Sequence, residues 1–305
     1  MDPVISAEQA IYAFRPDLRP VKTVTPPARL VFETADALGG QIQSPDDRLA
    51  GIDFDHVNPA TGPVAFRGAA PGDALVVRVE RIELPDHGVI VTGPGMGVLG
   101  GEITSPQSRV LPIREGFVRF GRFRLPLSPM IGVIGVATEQ DVIPTGTAHR
   151  HGGNMDTKEI GEGAVLYLPV AQPGGLLALG DIHAVMGDGE VCVSGCEVAS
   201  RVTLTVDVVK AAAPVWPIVV TEGRVIVIVS LPDLAEATRE ATRTAVRLLA
   251  DRLSLSFDEA YLLASLAVDI GVSQLVDPNL TVKAAIPEHL FGNRGFSPVK
   301  RAALR

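Results

Sequence analysis

The sequence has few aromatic residues, few cysteines and no excess of positive charge. Aromatic residues make up 5% of its 305 residues, so a core must be built mainly from aliphatic side chains. The formal net charge is -8 and no Lys/Arg run offsets it, which argues against nucleic-acid phosphates as a partner. No apolar stretch approaches the roughly 20 residues that span a bilayer, so a membrane is not an expected partner either.

The two cysteines, Cys192 and Cys196, do not predict a disulfide. In an extended segment they lie on one face about 13 Å apart. A disulfide needs Cα atoms within about 7 Å. Unpaired thiols, together with an N-terminus that has no basic and apolar leader, favour a cytoplasmic location. Both thiols are interpreted as buried structural cysteines, because neither has a local sign of thiolate activation.

Short β-type runs dominate the first two thirds of the chain. They stand at residues 75–82, 89–91, 131–136, 165–168 and 202–208, and glycine, proline and aspartate separate them. No long helical period interrupts them. Residues 1–210 are therefore predicted to form a mainly β body, a β-sandwich or barrel, that carries the polar motifs.

The pattern changes after a final β-type run at residues 225–230. Asp233 is a plausible N-cap for a helix of roughly 20 residues, and Ser256 with Glu259 forms a capping-box sequence at the start of a second helix. A last strand is predicted at residues 280–286. Residues 211–305 thus read as a C-terminal α+β unit, which can pack with the β body into one globule.

The glycine spacing of the segment Gly95–Gly100 matches the sequence pattern of the dinucleotide-binding fingerprint. A bound pyrophosphate needs a helix N-terminus directly after the glycines, and the residues that follow do not start a helix. The segment is interpreted as a turn, and no nucleotide is expected there.

Ionisable residues are densest between Gly180 and Val191. Asp181 and His183 are two residues apart and share a face of an extended strand, and Asp188 and Glu190 repeat the spacing. Such a cluster is costly unless its members are paired or bind a cation. A solvated polar hairpin explains the same sequence, and residue spacing alone does not decide between a hairpin and a cation site.

Nine segments of the chain carry recognisable motifs. They are residues 40–42, 58–63, 68–73, 151–158, 167–170, 180–184, 187–191, 259–262 and 269–274. In order and at the expected separations, these motifs resemble the acetamidase/formamidase family. The resemblance runs from about residue 31 to residue 286, and the combined motifs are far more specific than any one of them.

The resemblance implies a β-rich body with an α+β tail and hydrolysis of formamide, acetamide or similar short amides to carboxylate and ammonia. It also implies a bound divalent metal ion, zinc in the first place and calcium in the second. Oligomeric assembly is implied as well, and we expect a homodimer or a higher even-numbered oligomer.

Side-chain chemistry then predicts the metal ligands. His183 and Asp181 present an imidazole and a carboxylate to one point, and a second motif must complete the coordination shell. The segment 151–156 is the candidate for that second motif, with His151 and Asp156 as ligands. In an extended segment His151 and His149 point the same way, although His149 alone reads as an ordinary loop histidine.

The remaining polar residues are predicted to act on the substrate. Glu190 is the expected general base, and Asp188 is the second catalytic carboxylate. Asn154, which follows two glycines, and Gln41 are predicted to bind the amide.

Three functions remain open at this point. The first is a metal-assisted amidase. The second is a non-catalytic β-sandwich protein that binds a metal or a small ligand, although the central motif holds more carboxylates than one ion requires. The third is an amidase with Cys196 as nucleophile.

Overall fold

The computed structural model describes residues 2–44, 47, 49–292 and 296. Two α-helices form in this part of the chain, α1 (Leu234–Leu253) and α2 (Phe257–Ala267). The strands are β1 (Val4–Ile5), β2 (Ala10–Ile11), β3 (Ala13–Phe14), β4 (Lys22–Val24), β5 (Ala28–Thr34), β6 (Ala60–Phe66), β7 (Ala74–Glu83), β8 (His87–Thr92), β9 (Gln107–Arg114), β10 (Phe117–Phe120), β11 (Phe123–Pro126), β12 (Met130–Gly135), β13 (Ile143–Pro144), β14 (Gly152–Asn154), β15 (Val165–Pro169), β16 (Leu177–His183), β17 (Glu197–Val198), β18 (Ser200–Val209), β19 (Ile218–Thr221), β20 (Arg224–Leu231), β21 (Asp269–Gln274) and β22 (Leu280–Pro287).

Most of the described strands join one of two large sheets. One sheet has the order β1-β5-β18-β7-β15-β19-β20-β22-β21. The other runs β11-β10-β9-β8-β17-β16-β12-β14, and β6 pairs with β16, β2 and β4 beside it. Apolar side chains from both sheets, such as Phe32, Val77, Ile131 and Leu179, pack into the main hydrophobic core between them. Burying both faces of β6, β12 and β16 explains why these segments are apolar and glycine-rich rather than alternating.

The two helices form a further layer on the other face of the first sheet. Ala237, Ala241, Ala245 and Leu249 of α1 pack on the valines of β20 and β22 in a second core. The Asp233 side chain accepts a hydrogen bond from the Glu236 amide. Ser256 and Glu259 form the reciprocal capping box. The mainly β fold with C-terminal helices is thus confirmed, and so are both helix starts.

The structure differs from the sequence-based expectation for the C-terminal unit in one strand. Strand β21 was not predicted, because Asp269–Gln274 contains glycine and polar residues and gains its order by pairing with β22. Strand β15, before residue 210, pairs directly with β19, after it, so one sheet continues from the β body into the C-terminal unit. Residues 293–295 and 297–305 of the proposed unit lie outside the described residues.

Two further segments do not have the extended form assumed for them. His149 and Gly152 exchange backbone hydrogen bonds in a tight turn, so His149 and His151 do not share the face of a strand. Cys192 lies in a turn rather than in a strand, and both cysteines are free thiols. None of the described helices is long and apolar enough to span a membrane.

Candidate active site

Strand β16 delivers two of the predicted residues to one point. Asp181 and His183 are both buried at its C-terminal end, and His183 Nε2 lies 3.1 Å from Asp181 Oδ1. In the sheet register His183 stands opposite Glu197 of β17. Its Nε2 lies 3.0 Å from Glu197 Oε2 and 3.8 Å from Glu190 Oε1. One imidazole nitrogen therefore faces three carboxylates.

Loops bring the other carboxylates to this group. Asp156 follows β14 and is fully buried, and Glu190 lies in the loop after β16 and is almost as buried. Asp156, Asp181 and Glu190 all have left-handed backbone, with φ of 41°, 53° and 44°. This conformation is unfavourable for side chains other than glycine, and such strain concentrates at functional sites.

Glycines make room for the buried polar side chains. A Cβ on Gly132 of β12 would overlap carboxylate oxygens of both Asp181 and Asp156. A Cβ on Gly195 would stand 2.7 Å from His183 Nδ1. Larger residues at either position would displace the carboxylates or the imidazole.

The charges in this cluster do not balance. One histidine faces the carboxylates of Asp156, Asp181, Glu190 and Glu197, all of them buried. Both oxygens of Asp156 and His183 Nδ1 have no hydrogen-bond partner. Buried, unpaired carboxylates are costly, so the cluster requires either protons or a cation.

The pKa values report the same imbalance. Burial and the charge of Asp156 raise the pKa of Glu190 well above its usual value. Burial raises the pKa of Glu197 to about 8. Burial opposes the charged imidazole of His183, but Glu197 and Asp181 outweigh it and hold its pKa well above the ordinary value. Burial likewise opposes ionisation of Asp181, yet the charge of His183 keeps its pKa below the usual range.

The donor set fits a divalent cation. Two groups have ligand atoms within 4.8 Å of one another, Asp156 with His183 and Glu190, and Asp181 with His183 and Glu197. One imidazole nitrogen with several carboxylate oxygens suits zinc and related ions, and the carboxylates alone suit harder ions such as calcium.

A cavity of about 170 Å³ opens onto the cluster. Its polar lining includes Asp181, Glu190, Glu197, Asn154 and Asp277. Asn154 is buried, and its Nδ2 donates to Asp277 Oδ2 at 2.8 Å. Its Oδ1 has no partner, so it can accept a hydrogen bond from a molecule in the cavity.

Three predicted site residues lie elsewhere. Asp188 is directed away from Glu190 and pairs with Lys283 and Lys158 at 2.7 and 2.9 Å, because the intervening turn ends the alternation assumed for this segment. Gln41 exchanges hydrogen bonds with the Asp53 backbone and thus holds a loop of the cavity wall together.

His151 is the third of these residues. It is buried against the Phe14 ring, with 4.8 Å between ring centroids, and it borders a different cavity together with Arg150. Burial lowers its pKa to about 3. It belongs to neither of the two groups that could hold a metal among the described residues.

Two residues of the cluster were missed from the sequence. Glu197 lies between apolar residues in a short strand, and a lone charge in such a strand is a signal that could have been used. Asp277 is part of an Asp-Pro-Asn turn sequence, and nothing in those letters indicates that the turn reaches the cavity.

The glycine-rich segment lacks the surroundings that nucleotide binding requires, and Cys196 lacks those that a nucleophilic thiolate requires. A short 3-10 segment, Gly100–Glu102, follows the glycines instead of an α-helix, so no helix N-terminus is available for a pyrophosphate. Cys196 packs in the main core, and burial raises the pKa of its thiol to about 12. A thiolate at neutral pH is therefore strongly disfavoured.

The fold and the cluster define a mainly β protein that encloses a small, acidic, histidine-containing pocket. The profile of the Acetamidase/Formamidase family matches residues 3–147 and 136–293. The chain belongs to this family, and the resemblance inferred from the motifs is confirmed.

Solved structures support the same assignment. An acetamidase from Bacillus halodurans is 40% identical and superposes with a TM-score of 0.93, covering 94% of this chain and 98% of that one. A predicted acetamidase/formamidase from Thermoanaerobacter tengcongensis is 43% identical, with a TM-score of 0.92 and coverage of 94% and 96%.

A curated formamidase from Methylophilus methylotrophus is 24% identical over 262 residues, which are 65% of this chain and 63% of the relative. The chain thus spans less than two thirds of the length of the curated relatives it matches.

Proposed function

We propose that this protein hydrolyses small amides such as formamide, acetamide or similar compounds to a carboxylate and ammonia, with help from a divalent metal ion. The observation that carries the proposal is the buried group of one histidine and four carboxylates at the floor of a small-molecule cavity. Membership of the Acetamidase/Formamidase family supports the reaction. Zinc is the first expectation for the ion and calcium the second.

The chain supplies the ligands, the base and a substrate contact. His183, Asp181, Asp156 and Glu197 would hold the ion, which supplies Lewis-acid polarisation of the amide carbonyl when bound. Glu190, with its raised pKa, accepts a proton from the attacking water and passes it to the leaving nitrogen. Water adds to the carbonyl carbon to form the C–O bond, and the C–N bond then breaks as the protonated nitrogen leaves as ammonia. The free Oδ1 of Asn154 accepts a hydrogen bond from the amide N–H and orients the substrate.

The cysteine mechanism has little support from the geometry. Cys196 does not line the described cavity, and its thiol is buried in the core. Thiol alkylation should therefore leave turnover intact, whereas chelation should remove it. A non-catalytic binding protein would release no ammonia under any condition.

The proposal is tested by metal analysis of purified protein coupled to an ammonia assay over a panel of amides. We expect bound metal, ammonia release from at least one small amide, and loss of both metal and turnover in His183→Ala. Full metal content with wild-type turnover in His183→Ala would remove this residue from the site. Loss of activity in well-folded Cys196→Ala would replace the metal mechanism by the thiol mechanism.

We also propose that the protein is a cytoplasmic homo-oligomer with an even number of subunits. Helix α2 turns apolar side chains outward, and Leu262 and Leu266 are 70% and 86% exposed. Strand β21, which follows α2, is at an edge of the first sheet and leaves backbone groups open to pairing. Exposed apolar helix faces and open strand edges are features that a second copy of the chain can cover.

A further inference from the structure

Much of the wall of the active-site cavity is apolar. Leu38, Leu49, Val91 and Met96 belong to one hydrophobic cluster, and all four line the cavity. Phe54, which is 52% exposed, lines the same cavity. The cavity therefore combines an acidic group, where the amide is bound and cleaved, with an aliphatic lining.

The cavity as a whole is larger than formamide or acetamide requires. An apolar cavity of about 150 Å³ in another protein holds benzene, and the cavity here measures about 170 Å³. Butyramide has as many non-hydrogen atoms as benzene. An acyl chain of this size fills space that acetamide would leave to water, and each methylene moved from water to an apolar wall favours binding.

The charges of the residues that line the cavity limit which acyl groups can bind. No Lys, Arg or His is among the described residues that line the cavity. An acidic acyl group would find no counter-ion there and would face the carboxylates. A cationic acyl group would have to lie against the aliphatic cluster and lose its hydration. An uncharged aliphatic chain meets neither penalty.

We propose that the preferred substrates are primary amides of uncharged aliphatic acids with about four carbons, and that Met96 and Phe54 select the acyl chain. This inference rests on the proposed amide hydrolysis and specifies its substrate class. Leu38, Leu49 and Val91 form the fixed part of the acyl site. Met96 is only partly buried in a glycine-rich turn, and its flexible thioether adapts to the chain that is bound.

The test compares kcat/KM for formamide, acetamide, propionamide, butyramide, succinamate and β-alaninamide with the metal-loaded enzyme. We expect kcat/KM to rise about fourfold per methylene from acetamide to butyramide, the fold-change that corresponds to burying one methylene. Succinamate and β-alaninamide should both be at least tenfold poorer than butyramide. A maximum at formamide or acetamide, or a preference for either charged amide, would overturn the inference while leaving amide hydrolysis intact.

Substitutions in the aliphatic lining test whether Met96 and Phe54 select the acyl chain. Met96→Trp should fill the acyl site and lower the ratio of kcat/KM for butyramide over acetamide roughly tenfold. Phe54→Ala, at a half-exposed position where folding is not at risk, should lower the same ratio about threefold. Leu99→Trp is the matched control, since Leu99 is 62% exposed in the same turn and does not line the cavity. An unchanged ratio in both Met96→Trp and Phe54→Ala contradicts the assignment.

Failure of the proposed function gives a different result. If no amide releases ammonia, the reaction itself is wrong, and calorimetric titration of acetamide and butyramide into the same protein then tests the acyl site directly. Tighter binding of butyramide, weakened by Met96→Trp, would keep the site. Equal affinity for the two amides would eliminate it.

Discussion

Among single residues, Glu190 is the one whose substitution tests the proposed proton transfer separately from metal binding. Its carboxylate is buried at the cavity wall, and burial with the charge of Asp156 raises its pKa. A base with a raised pKa is suited to accept a proton near neutral pH and to release it to the leaving nitrogen. The carboxylates of Asp181 and Glu197 are closer to His183 Nε2 than that of Glu190 is, so they are better placed as ligands.

We expect Glu190→Gln to keep the fold and the metal but to lose turnover by roughly 10²- to 10⁴-fold, the usual range for general acid–base help. The amide side chain has nearly the same shape as the carboxylate but cannot take up the proton. Metal content and the ammonia assay on one preparation check this. A variant with more than a tenth of wild-type turnover would exclude Glu190 as the base.

Gly132 is a second residue on which the cluster depends. Its missing side chain provides the space for Asp181 and Asp156, because a Cβ would overlap both carboxylates. We expect Gly132→Ala to lose most of its bound metal and to be less stable by about 1–3 kcal/mol, the usual cost of overpacking. Gly101→Ala is the control, since a Cβ there meets nothing within 4 Å. Full metal content in Gly132→Ala would contradict this reading of the site.

At the scale of elements, the hairpin of β21 and β22 holds the two loops that carry Asp156 and Glu190. Lys283 of β22 donates to both oxygens of Glu159, at 2.8 and 3.0 Å, and to Asp188 at 2.7 Å. Ser273 of β21 bonds Thr157 through its side chain and the Gly189 amide through its carbonyl. The C-terminal unit thereby holds both loops in place, and its Asp277 also lines the cavity.

Lys283→Met tests this connection. Lys283 is buried, so removing its charge leaves Glu159 and Asp188 without their shared partner, and we expect a loss of about 2–4 kcal/mol in the free energy of unfolding. Turnover should fall with it as the two loops loosen. The control is Lys158→Met, which also removes a partner of Asp188 but from an exposed ion pair worth about 1 kcal/mol or less. If both substitutions lower the free energy of unfolding in denaturant by the same amount, Lys283 does not hold the two loops together.

For the whole molecule, the apolar surface of α2 decides the prediction about assembly. Phe257, Tyr261, Leu262 and Leu266 are at least half exposed, and Ile270 of β21, which follows α2, is also exposed. We expect light scattering to give an even multiple of the subunit mass. The double variant Leu262→Glu/Leu266→Glu should shift the mass towards a smaller species, because charged groups in a buried interface are costly. Val142→Glu, at an exposed apolar position outside this surface, should leave the mass unchanged. A monomeric wild-type protein would refute the proposal.

Much of the fold followed from local signals in the sequence. The capping residues at Asp233 and Ser256 start helices where expected, and the apolar runs at residues 75–82, 165–168 and 202–208 lie in strands. Strand β21 could not be found in this way, since its polar and glycine residues have little intrinsic β preference. It becomes a strand because β22 offers a paired edge.

The candidate site was likewise predicted only in part from local signals in the sequence. The sequence by itself determined that Asp181 and His183 share a face, because alternation along a strand is a local property. It could not determine that Asp188 turns to Lys283, that His151 packs against Phe14, or that Glu197 and Asp277 join the pocket. Those outcomes depend on strand register and on loops brought together from distant parts of the chain. Only the tertiary structure decides them, because the free energy of burying a charge depends on which partners reach it in space.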